Sequence, residues 1–266
     1  MRDNVPLMPM VEFRDVSLRY HSPEGETEAI SSLSFKIEKG EFLVLLGPSG
    51  CGKTTVLSLI AGLFTPSEGQ ILFSGQPTKD ISSRRIGYMF QHDELFPWCR
   101  VIDNVLLGCR IQKKVDQASR ERAMELLTEY GLGDFLESYP RALSGGMRQR
   151  AALIRTLATN PALLLLDEPF SALDYQTRIH VSEDIASIIK REGKTAVMVT
   201  HDISEALSLA DRIIVLSGRP ARVKKVFPIE IEGRGVIRRR ASPRFSEYFN
   251  AIWGELDETT ASEDVS

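Results

Sequence analysis

A glycine-rich loop between two apolar segments constrains this chain more than any other feature. Residues 47–55 read Gly-Pro-Ser-Gly-Cys-Gly-Lys-Thr-Thr and match the phosphate-binding pattern G-x-x-x-x-G-K-[ST] at every position. A strand-like run, Phe42–Leu46, precedes the loop, and apolar residues at helical spacing follow it from Val56 onwards. This order of strand, glycine loop and helix is the context in which the pattern binds phosphate, and it argues against a glycine turn without a ligand.

Each residue type in the loop has a predicted task. Glycine leaves the backbone free to curl, so that successive amide groups can point at one anion. Lys53 is expected to reach the β- and γ-phosphates of a nucleotide, and the Thr54 hydroxyl is expected to ligate Mg²⁺. The predicted phosphate-binding residues are Gly47, Pro48, Ser49, Gly50, Cys51, Gly52, Lys53, Thr54 and Thr55.

Cys51 lies inside this loop and allows a second hypothesis, a redox switch. A thiol beside a helix N-terminus and Lys53 could have a lowered pKa. The simpler interpretation, which we prefer, is that a small residue fits at this position. Together with Cys99 and Cys109 it makes an odd, scattered set that is neither a disulfide framework nor a zinc site, and this set indicates a reducing compartment.

The overall composition excludes several classes of protein. The chain has 266 residues and a formal net charge of −3, which gives no electrostatic reason to expect a nucleic-acid partner. Residues 1–10 lack the apolar core of a signal peptide. The longest apolar runs, such as Ala162–Leu166, are far too short to span a bilayer. We therefore expect any membrane role to pass through a partner protein.

The order of apolar segments predicts an α/β fold. Continuous apolar runs suit parallel strands that helices cover on both faces, and a helix is predicted at 174–191 between two of them. β-Strands are predicted near the N-terminus, and the pattern is helical from about 97 to 158. The last segment, 255–266, is acidic and is expected to fray. The predicted parallel strands are Phe42–Leu46, Ala162–Leu166, Thr195–Thr200 and Arg212–Leu216.

Two carboxylates close one of these apolar runs. Four leucines at 163–166 lead directly into Asp167 and Glu168. Carboxylates at the end of a buried strand are costly unless a cation needs them. Asp167 is predicted to bind Mg²⁺, directly or through water, and Glu168 to polarise the attacking water as a general base. The alternative is a polar strand end that enters a loop, and the phosphate-binding loop argues against it.

A third motif, Leu143–Arg150, opens an amphipathic helix with a serine and two glycines. A helix N-terminus with exposed glycine amides is a ready-made anion site. The alternative is a capped helix whose start merely turns the chain. The motif lies shortly before Asp167 in a chain with two other phosphate-site motifs, so we predict that Ser144, Gly145 and Gly146 contact a phosphate.

Together these residues resemble the ATP-binding subunit of an ABC transporter, over about 11–217. The resemblance implies the ABC ATPase fold, a RecA-like P-loop NTPase core with a mostly parallel sheet. It also implies an N-terminal antiparallel β subdomain and an inserted helical subdomain at roughly 97–158. Residues 218–266 would form a C-terminal extension. Leu143–Met147 resembles the signature motif of this family, with Met147 in place of the usual glutamine.

The resemblance assigns roles to four further positions. Tyr20 matches the aromatic residue that stacks on adenine. Gln91 resembles the Q-loop glutamine, which touches Mg²⁺ and the attacking water. Ser171–Asp174 resembles the D-loop, and His201 resembles the switch histidine that contacts the γ-phosphate.

The implied reaction is ATP hydrolysis with ATP and Mg²⁺ as cofactors. In this family the signature helix completes the site of the opposite subunit, so two subunits enclose two ATP molecules head to tail. We expect the second ATPase subunit to be a copy of this chain. The implied catalytic residues are Glu168, His201, Lys53 and Gln91. The implied metal-binding residues are Thr54, Gln91 and Asp167. The implied nucleotide contacts outside the loop are Tyr20, Ser144, Gly145, Gly146 and Asp174.

The stretch Gln91–Trp98 resembles that of the nitrate/sulfonate/taurine-type importer ATPases, as does the C-terminal part from Arg238 to Leu256. This resemblance implies a membrane permease that docks near Gln91–Trp98, a separate solute-binding protein and no nucleic-acid partner. It places the chain peripherally at the cytoplasmic face of the cell (inner) membrane. Phe96 and Trp98 would be docking anchors if exposed, or would pack inside the helical subdomain. The run Arg238–Arg240 is interpreted as a solvated face.

Two other functional classes stay open. One is a soluble ABC ATPase of translation or DNA repair, although such proteins usually carry two ATPase modules or a long coiled-coil insertion, which this sequence lacks. The other is a nucleotide-binding regulator without hydrolysis. The presence of Glu168 and His201 argues against that class.

Overall fold

Two β-sheets form the framework of the computed structural model, which describes residues 8–23, 25–78, 85–232 and 235–263. A four-stranded antiparallel sheet has the order β2-β1-β4-β5, and a six-stranded sheet has the order β10-β9-β3-β8-β7-β6. The strands are β1 (Val11–Ser22), β2 (Gly25–Ile37), β3 (Phe42–Leu46), β4 (Glu68–Phe73), β5 (Gln76–Pro77), β6 (Ile86–Met89), β7 (Leu163–Asp167), β8 (Thr195–Thr200), β9 (Arg212–Leu216) and β10 (Val223–Pro228).

Helices cover the six-stranded sheet and fill the insertion between β6 and β7. Short 3₁₀ turns at Gly133–Phe135 and Pro140–Ala142 break the inserted helical part near the glycine and proline positions that predict breaks. The helices are α1 (Lys53–Ile60), α2 (Val101–Val105), α3 (Leu107–Ile111), α4 (Gln117–Glu129), α5 (Gly145–Leu157), α6 (Tyr175–Arg191), α7 (Ile203–Leu209), α8 (Val236–Arg240) and α9 (Pro243–Glu263).

The six-stranded sheet is parallel except at one edge. β3, β7 and β8 are buried at every position, since helices lie on both faces. Alternate residues of a strand serve opposite faces. Leu43 and Leu45 join a hydrophobic cluster with α1 and the antiparallel sheet, whereas Val44 and Leu46 join a cluster with α5, α6 and α7. The predicted fold of parallel core, antiparallel N-terminal sheet and inserted helices is confirmed.

The sheet extends beyond residue 217, where the sequence predicts that the ATPase domain ends. β10 pairs antiparallel with β9, and Ile252 of α9 is fully buried in the main core. The Lys225 ammonium lies 2.6 Å from a Glu255 carboxylate oxygen and ties α9 to β10. α9 runs to Glu263, whereas the sequence predicts fraying from Glu255, and residues 264–266 lie outside the described ranges.

Within the arginine run of α8, Arg238 is exposed, but Arg239 and Arg240 are partly buried, contrary to the predicted solvated face. The Arg239 guanidinium donates to the backbone oxygens of Ser208 and Ala210 at the end of α7, where carbonyl groups have no partner within the helix. Arg240 donates to the Ser208 hydroxyl. The Arg239 and Arg240 side chains therefore cap the C-terminus of α7. Within the described ranges, no helix is both long and apolar enough to cross a membrane.

Candidate functional site

The glycine loop, Asp167, Glu168 and His201 gather at one edge of the six-stranded sheet. β3, β8 and β7 are neighbouring parallel strands, so their carboxyl ends lie side by side. β3 leads into the glycine loop, β7 ends at Asp167, and β8 is followed by His201. Segments far apart in sequence therefore meet at this edge because of the strand order.

The glycine loop curls around the Lys53 side chain. The buried Lys53 ammonium donates to the backbone oxygens of Gly47 and Pro48, each at 2.8 Å. Gly52, which precedes α1, has a φ of 115°, and a Cβ there would come 3.2 Å from the Ala29 carbonyl oxygen. Only glycine adopts this conformation at such close approach without strain. The loop thus holds the Lys53 ammonium at the start of α1.

Asp167 is held at both carboxylate oxygens. The Thr54 hydroxyl donates to Oδ1 at 3.0 Å, and the Tyr88 hydroxyl donates to Oδ2 at 3.0 Å. Burial raises the pKa of Asp167, whereas the two hydroxyl bonds act to lower it. The sequence did not indicate Tyr88, because the sequence of neither strand reveals that β6 pairs with β7 or in which register.

The Thr54–Asp167 pair fits a magnesium ion by its donor chemistry. A hydroxyl and a carboxylate are hard oxygen donors, which Mg²⁺ prefers. Among the described residues, no group of three or more histidine, cysteine, aspartate or glutamate side chains could hold a metal by itself. Mg²⁺ usually combines one or two protein ligands with substrate phosphates and water, so the two residues suit a metal that arrives with a nucleotide.

Glu168 turns away from the buried strand that carries Asp167. Its φ is 41°, in the left-handed region that non-glycine residues rarely adopt, and its N–H donates to the Val199 carbonyl oxygen. The Glu168 carboxylate lies 3.2 Å from His201 Nδ1, and the two side chains are 21% and 55% exposed. The pair therefore faces solvent at the edge where Asp167 is buried.

A polar network between α6 and α7 stabilises the loop that carries His201. The Thr200 hydroxyl donates to the buried Glu205 carboxylate at 2.7 Å. Arg178 lies 3.5 Å from both Asp202 and Glu205, and it donates to the Leu173 carbonyl oxygen. Burial raises the pKa of Glu205. The network joins the D-loop-like segment to the histidine, and the sequence did not reveal it because Arg178 and its partners are distant in the chain.

Asp174 lies at the start of α6 rather than beside the glycine loop. Its carboxylate accepts from the Thr177 N–H at 3.0 Å and caps the helix. Hydrogen bonds from Thr177 lower the pKa of this exposed carboxyl. In this structure Asp174 therefore serves as the N-terminal cap of α6.

The stretch that begins at Gln91 is fastened to α5. The Arg148 guanidinium lies 2.9 Å from the Asp93 carboxylate, and Arg155 donates to the backbone oxygens of Asp93 and Glu94. Gln91 itself is exposed. In the part of the chain that the structure describes, no hydrogen bond joins the Gln91 side chain to Thr54 or Asp167.

Ser144 caps α5 and is not joined to the glycine loop. Its hydroxyl accepts from the Met147 N–H at 3.3 Å. A Cβ on Gly146 would come 2.8 Å from a Val181 methyl group, so this glycine permits the close approach of α6. No hydrogen bond or ion pair of the described residues links Ser144, Gly145 or Gly146 to residues 47–55.

Aromatic side chains lie at both ends of the site. The exposed Tyr20 ring meets the Phe64 ring edge to face, and its hydroxyl lies 3.2 Å from the Thr55 hydroxyl. Phe96 and Trp98 stack with ring centroids 5.2 Å apart, and they are 38% and 72% exposed. The stacked pair therefore does not pack inside the helical part.

Cys51 does not have the lowered pKa that a redox switch would require. The side chain is buried, and burial raises the pKa of the thiol even though Lys53 is near. The interpretation as a small residue that fits its position agrees with this environment.

A cavity of about 450 Å³ lies between the His201 loop and α9. His201, Ser204, Phe249, Trp253 and Leu256 are among its lining residues. The Phe249 and Trp253 rings are parallel, with centroids 6.1 Å apart, and Trp253 is exposed. The C-terminal helix thus borders the histidine of the site.

Comparisons with known proteins agree on one family. The family model described as "ABC transporter" matches residues 30–171. The uncharacterized ABC transporter ATP-binding protein YtlC of Bacillus subtilis (strain 168) is 46% identical over 252 residues, 94% of this chain and 96% of that protein. The aliphatic sulfonates import ATP-binding protein SsuB of Bacillus cereus (strain ZK / E33L) is 38% identical over 216 residues, 81% of this chain and 84% of that protein.

A solved structure shares the fold. It is the dimeric structure of a post-hydrolysis state of the ATP-binding cassette MJ0796 bound to ADP and Pi, with a TM-score of 0.71 and 33% identity. The match covers 83% of this chain and 99% of that chain.

Proposed function

The chain belongs to the ABC transporter family of ATP-hydrolysing subunits, and from that premise we propose that it drives import of a small solute through a membrane permease. One observation carries the assignment of its site. The Thr54–Asp167 pair, which is suited to Mg²⁺, adjoins the Glu168–His201 pair at the edge where the neighbouring strands β7 and β8 end. Metal binding and water activation are thereby brought to the same edge.

The proposed reaction divides the work among few side chains. Glu168 accepts a proton from water as the water oxygen attacks the γ-phosphorus, and the bond to the β–γ bridging oxygen breaks to release ADP and phosphate. Lys53 and the loop amides neutralise phosphate charge, and His201 holds the γ-phosphate. When bound by Thr54 and Asp167, with Gln91 as a further ligand, Mg²⁺ supplies additional charge neutralisation. Tyr20 stacks on the adenine.

The proposed active unit is a head-to-tail dimer of two copies of this chain. Ser144, Gly145 and Gly146 open a helix and are not bonded to their own glycine loop, which leaves them for the nucleotide of a second copy. Asp174, at the start of α6, would lie at the same contact. The dimeric cassette structures of MJ0796 support this arrangement. Such a two-fold interface is isologous, so both sites would close together.

The proposed membrane contact is the stretch Gln91–Trp98. Exposed, stacked aromatic rings such as Phe96 and Trp98 are suitable anchors for a docking helix of a permease. The chain would then lie peripherally at the cytoplasmic face of the cell membrane. A separate solute-binding protein would deliver the solute from the other side.

The proposed solute class is nitrate, a sulfonate, taurine or a related small solute. The support is the relative from Bacillus cereus, whose name specifies import of aliphatic sulfonates. The solute does not touch an ATPase subunit of this kind, so the choice within the class would rest on the permease and the binding protein.

The experiment is reconstitution of the chain with the permease and the solute-binding protein encoded beside its gene. Proteoliposomes would hold ATP on the side of the ATPase subunit, and uptake of labelled taurine, an alkanesulfonate or nitrate would be measured. We expect ATP-dependent accumulation of one of them, with none for Glu168→Gln. ATP hydrolysis without uptake of any of the three would contradict the proposed solute class, whereas purification of the chain with ribosomes or DNA would contradict the import proposal.

A further inference from the structure

We propose that Tyr88 is a positioning residue for Asp167, whose hydroxyl fixes the carboxylate in the orientation that binds Mg²⁺. The inference rests on the proposed Mg²⁺-dependent ATP hydrolysis and adds a residue that lies outside every motif of the sequence. Its basis is the two-sided hold on Asp167, in which Thr54 and Tyr88 each bond to a different carboxylate oxygen.

Strand register places the Tyr88 ring where its hydroxyl can reach the carboxylate. β6 pairs parallel with β7, and Tyr88 lies opposite Leu165. Residues two apart on a strand share a face, so the Tyr88, Leu165 and Asp167 side chains point towards α1. The ring packs against the hydrophobic cluster that contains Leu165, and the hydroxyl lies 3.0 Å from Asp167 Oδ2.

The two bonds to Asp167 have different consequences for metal binding. The Thr54 hydroxyl gives its proton to Oδ1 and keeps oxygen lone pairs for a metal. Tyr88 bonds to Oδ2, so the carboxylate cannot rotate about its Cβ–Cγ bond without losing a hydrogen bond. A ligand that is held in place before the metal arrives loses less conformational freedom on binding.

Packing alone does not require the Tyr88 hydroxyl. The ring lies against apolar neighbours, and its centroid is 4.7 Å from that of Phe90. A phenylalanine would fill the same volume, and among the described residues the polar contacts of this side chain, with Asp167 and Ser58, are made by its hydroxyl. Tyr88→Phe therefore removes the positioning contact and leaves the packing in place.

The test compares metal-dependent and metal-free nucleotide binding at equilibrium. Binding of a fluorescent ATP analogue would be measured for the full chain in EDTA and across a Mg²⁺ titration. For Tyr88→Phe we expect affinity in EDTA within about twofold of wild type, because the change removes no phosphate contact. The Mg²⁺ concentration that gives half of the metal-dependent gain should rise about tenfold, as for loss of one hydrogen bond to a charged group.

Tyr130→Phe is the matched control. The Tyr130 hydroxyl donates to the Glu192 carboxylate at 3.2 Å, so this variant also loses a tyrosine–carboxylate bond, but away from the site. It should leave the Mg²⁺ titration unchanged. Thermal unfolding of both variants would verify that they fold.

Three outcomes are informative. An unchanged Mg²⁺ titration for Tyr88→Phe overturns the inference. An equal loss of affinity in EDTA and in Mg²⁺ also overturns it, because the hydroxyl would then support the fold and not the metal. A wild-type chain whose nucleotide binding does not respond to Mg²⁺ contradicts the proposed function instead.

Discussion

Two halves of the site differ in how completely one chain builds them. The inner half, Lys53, Thr54, Tyr88 and Asp167, has its charged groups buried and bonded to other residues of the chain. The outer half, Ser144, Glu168 and His201, lies at exposed edges, and His201 is 55% exposed. We propose that the inner half binds phosphate and metal, whereas the outer half presents its groups to molecules outside the chain.

The boundary between the halves runs between two adjacent carboxylates. Asp167 is the last residue of β7 and is buried with the strand. Glu168 adopts a φ of 41°, which turns the chain out of the sheet at once. The left-handed conformation of Glu168 thus sets the proposed general base apart from the proposed metal ligand, and the two neighbouring carboxylates differ in burial.

The largest expected effect is that of Glu168→Gln in the outer half. Loss of a general base lowers kcat by about 10²–10⁴-fold, whereas ATP binding by the inner half should persist. Phosphate release would measure turnover, and size-exclusion chromatography with ATP would measure the trapped dimer. Glu137→Gln, at an exposed carboxylate of the helical part, is the control. Ordinary turnover in Glu168→Gln would refute the assignment of this residue.

The next largest effect is expected for Trp98→Ala. This variant tests whether the stacked Phe96 and Trp98 rings, like the outer half of the site, contact a molecule outside the chain. Removing a docking anchor worth about 2 kcal/mol lowers permease affinity roughly thirtyfold. The unfolding free energy should change by less than about 0.5 kcal/mol because the ring is exposed. Binding to the permease in detergent would be measured by a titration.

Trp253→Ala is the control for that experiment, since Trp253 is also exposed but lies on α9. Equal affinities for wild type and Trp98→Ala would remove the aromatic stack from the permease contact.

A smaller effect is expected for Ser144→Ala, which separates helix capping from nucleotide contact. Loss of the cap on α5 should cost about 1 kcal/mol of unfolding free energy, measured by urea denaturation. Ser144→Asn keeps a capping side chain and should restore most of that stability. If Ser144 serves the nucleotide of a second copy, hydrolysis stays impaired in both variants. Recovery of full hydrolysis in Ser144→Asn would show that the cap alone matters.

The smallest expected effect is a difference in thiol reactivity. Burial raises the pKa of Cys51, so at pH 8 less of it is thiolate, and alkylation should be slower than at the partly exposed Cys99. The Cys51 rate should continue to rise with pH above the ordinary pKa of a thiol. Mass spectrometry of alkylated peptides would follow both sites. Faster alkylation of Cys51 than of Cys99 at pH 8 would contradict the buried environment.

The sequence predicted those parts of the site that lie within short motifs. The glycine loop, the Asp167–Glu168 pair and the helix start at Ser144 each depend on a few consecutive residues. Tyr88 could not be found in this way, because its contact with Asp167 spans 79 residues and depends on strand register. The Arg178–Glu205 contact was also missed, because it too joins residues that are distant in the sequence.

Errors in the fold prediction had a different origin. β10 is an edge strand with two lysines, so its exposed positions obscured the apolar pattern of a strand. Arg239 was taken for a surface residue because a side chain that caps a distant helix is identical in sequence to a solvated one. The lowered pKa that the less favoured redox hypothesis for Cys51 requires is absent because burial, which only packing reveals, outweighs the nearby lysine.

The position of the two tryptophans has a practical consequence for spectroscopy. The chain contains Trp98 and Trp253, one in the exposed stack and one at the cavity beside His201. Replacing either one with phenylalanine leaves an intrinsic fluorophore at the other place. Two unlabelled variants would therefore give separate optical signals, one for arrival of the permease and one for events beside the histidine during turnover.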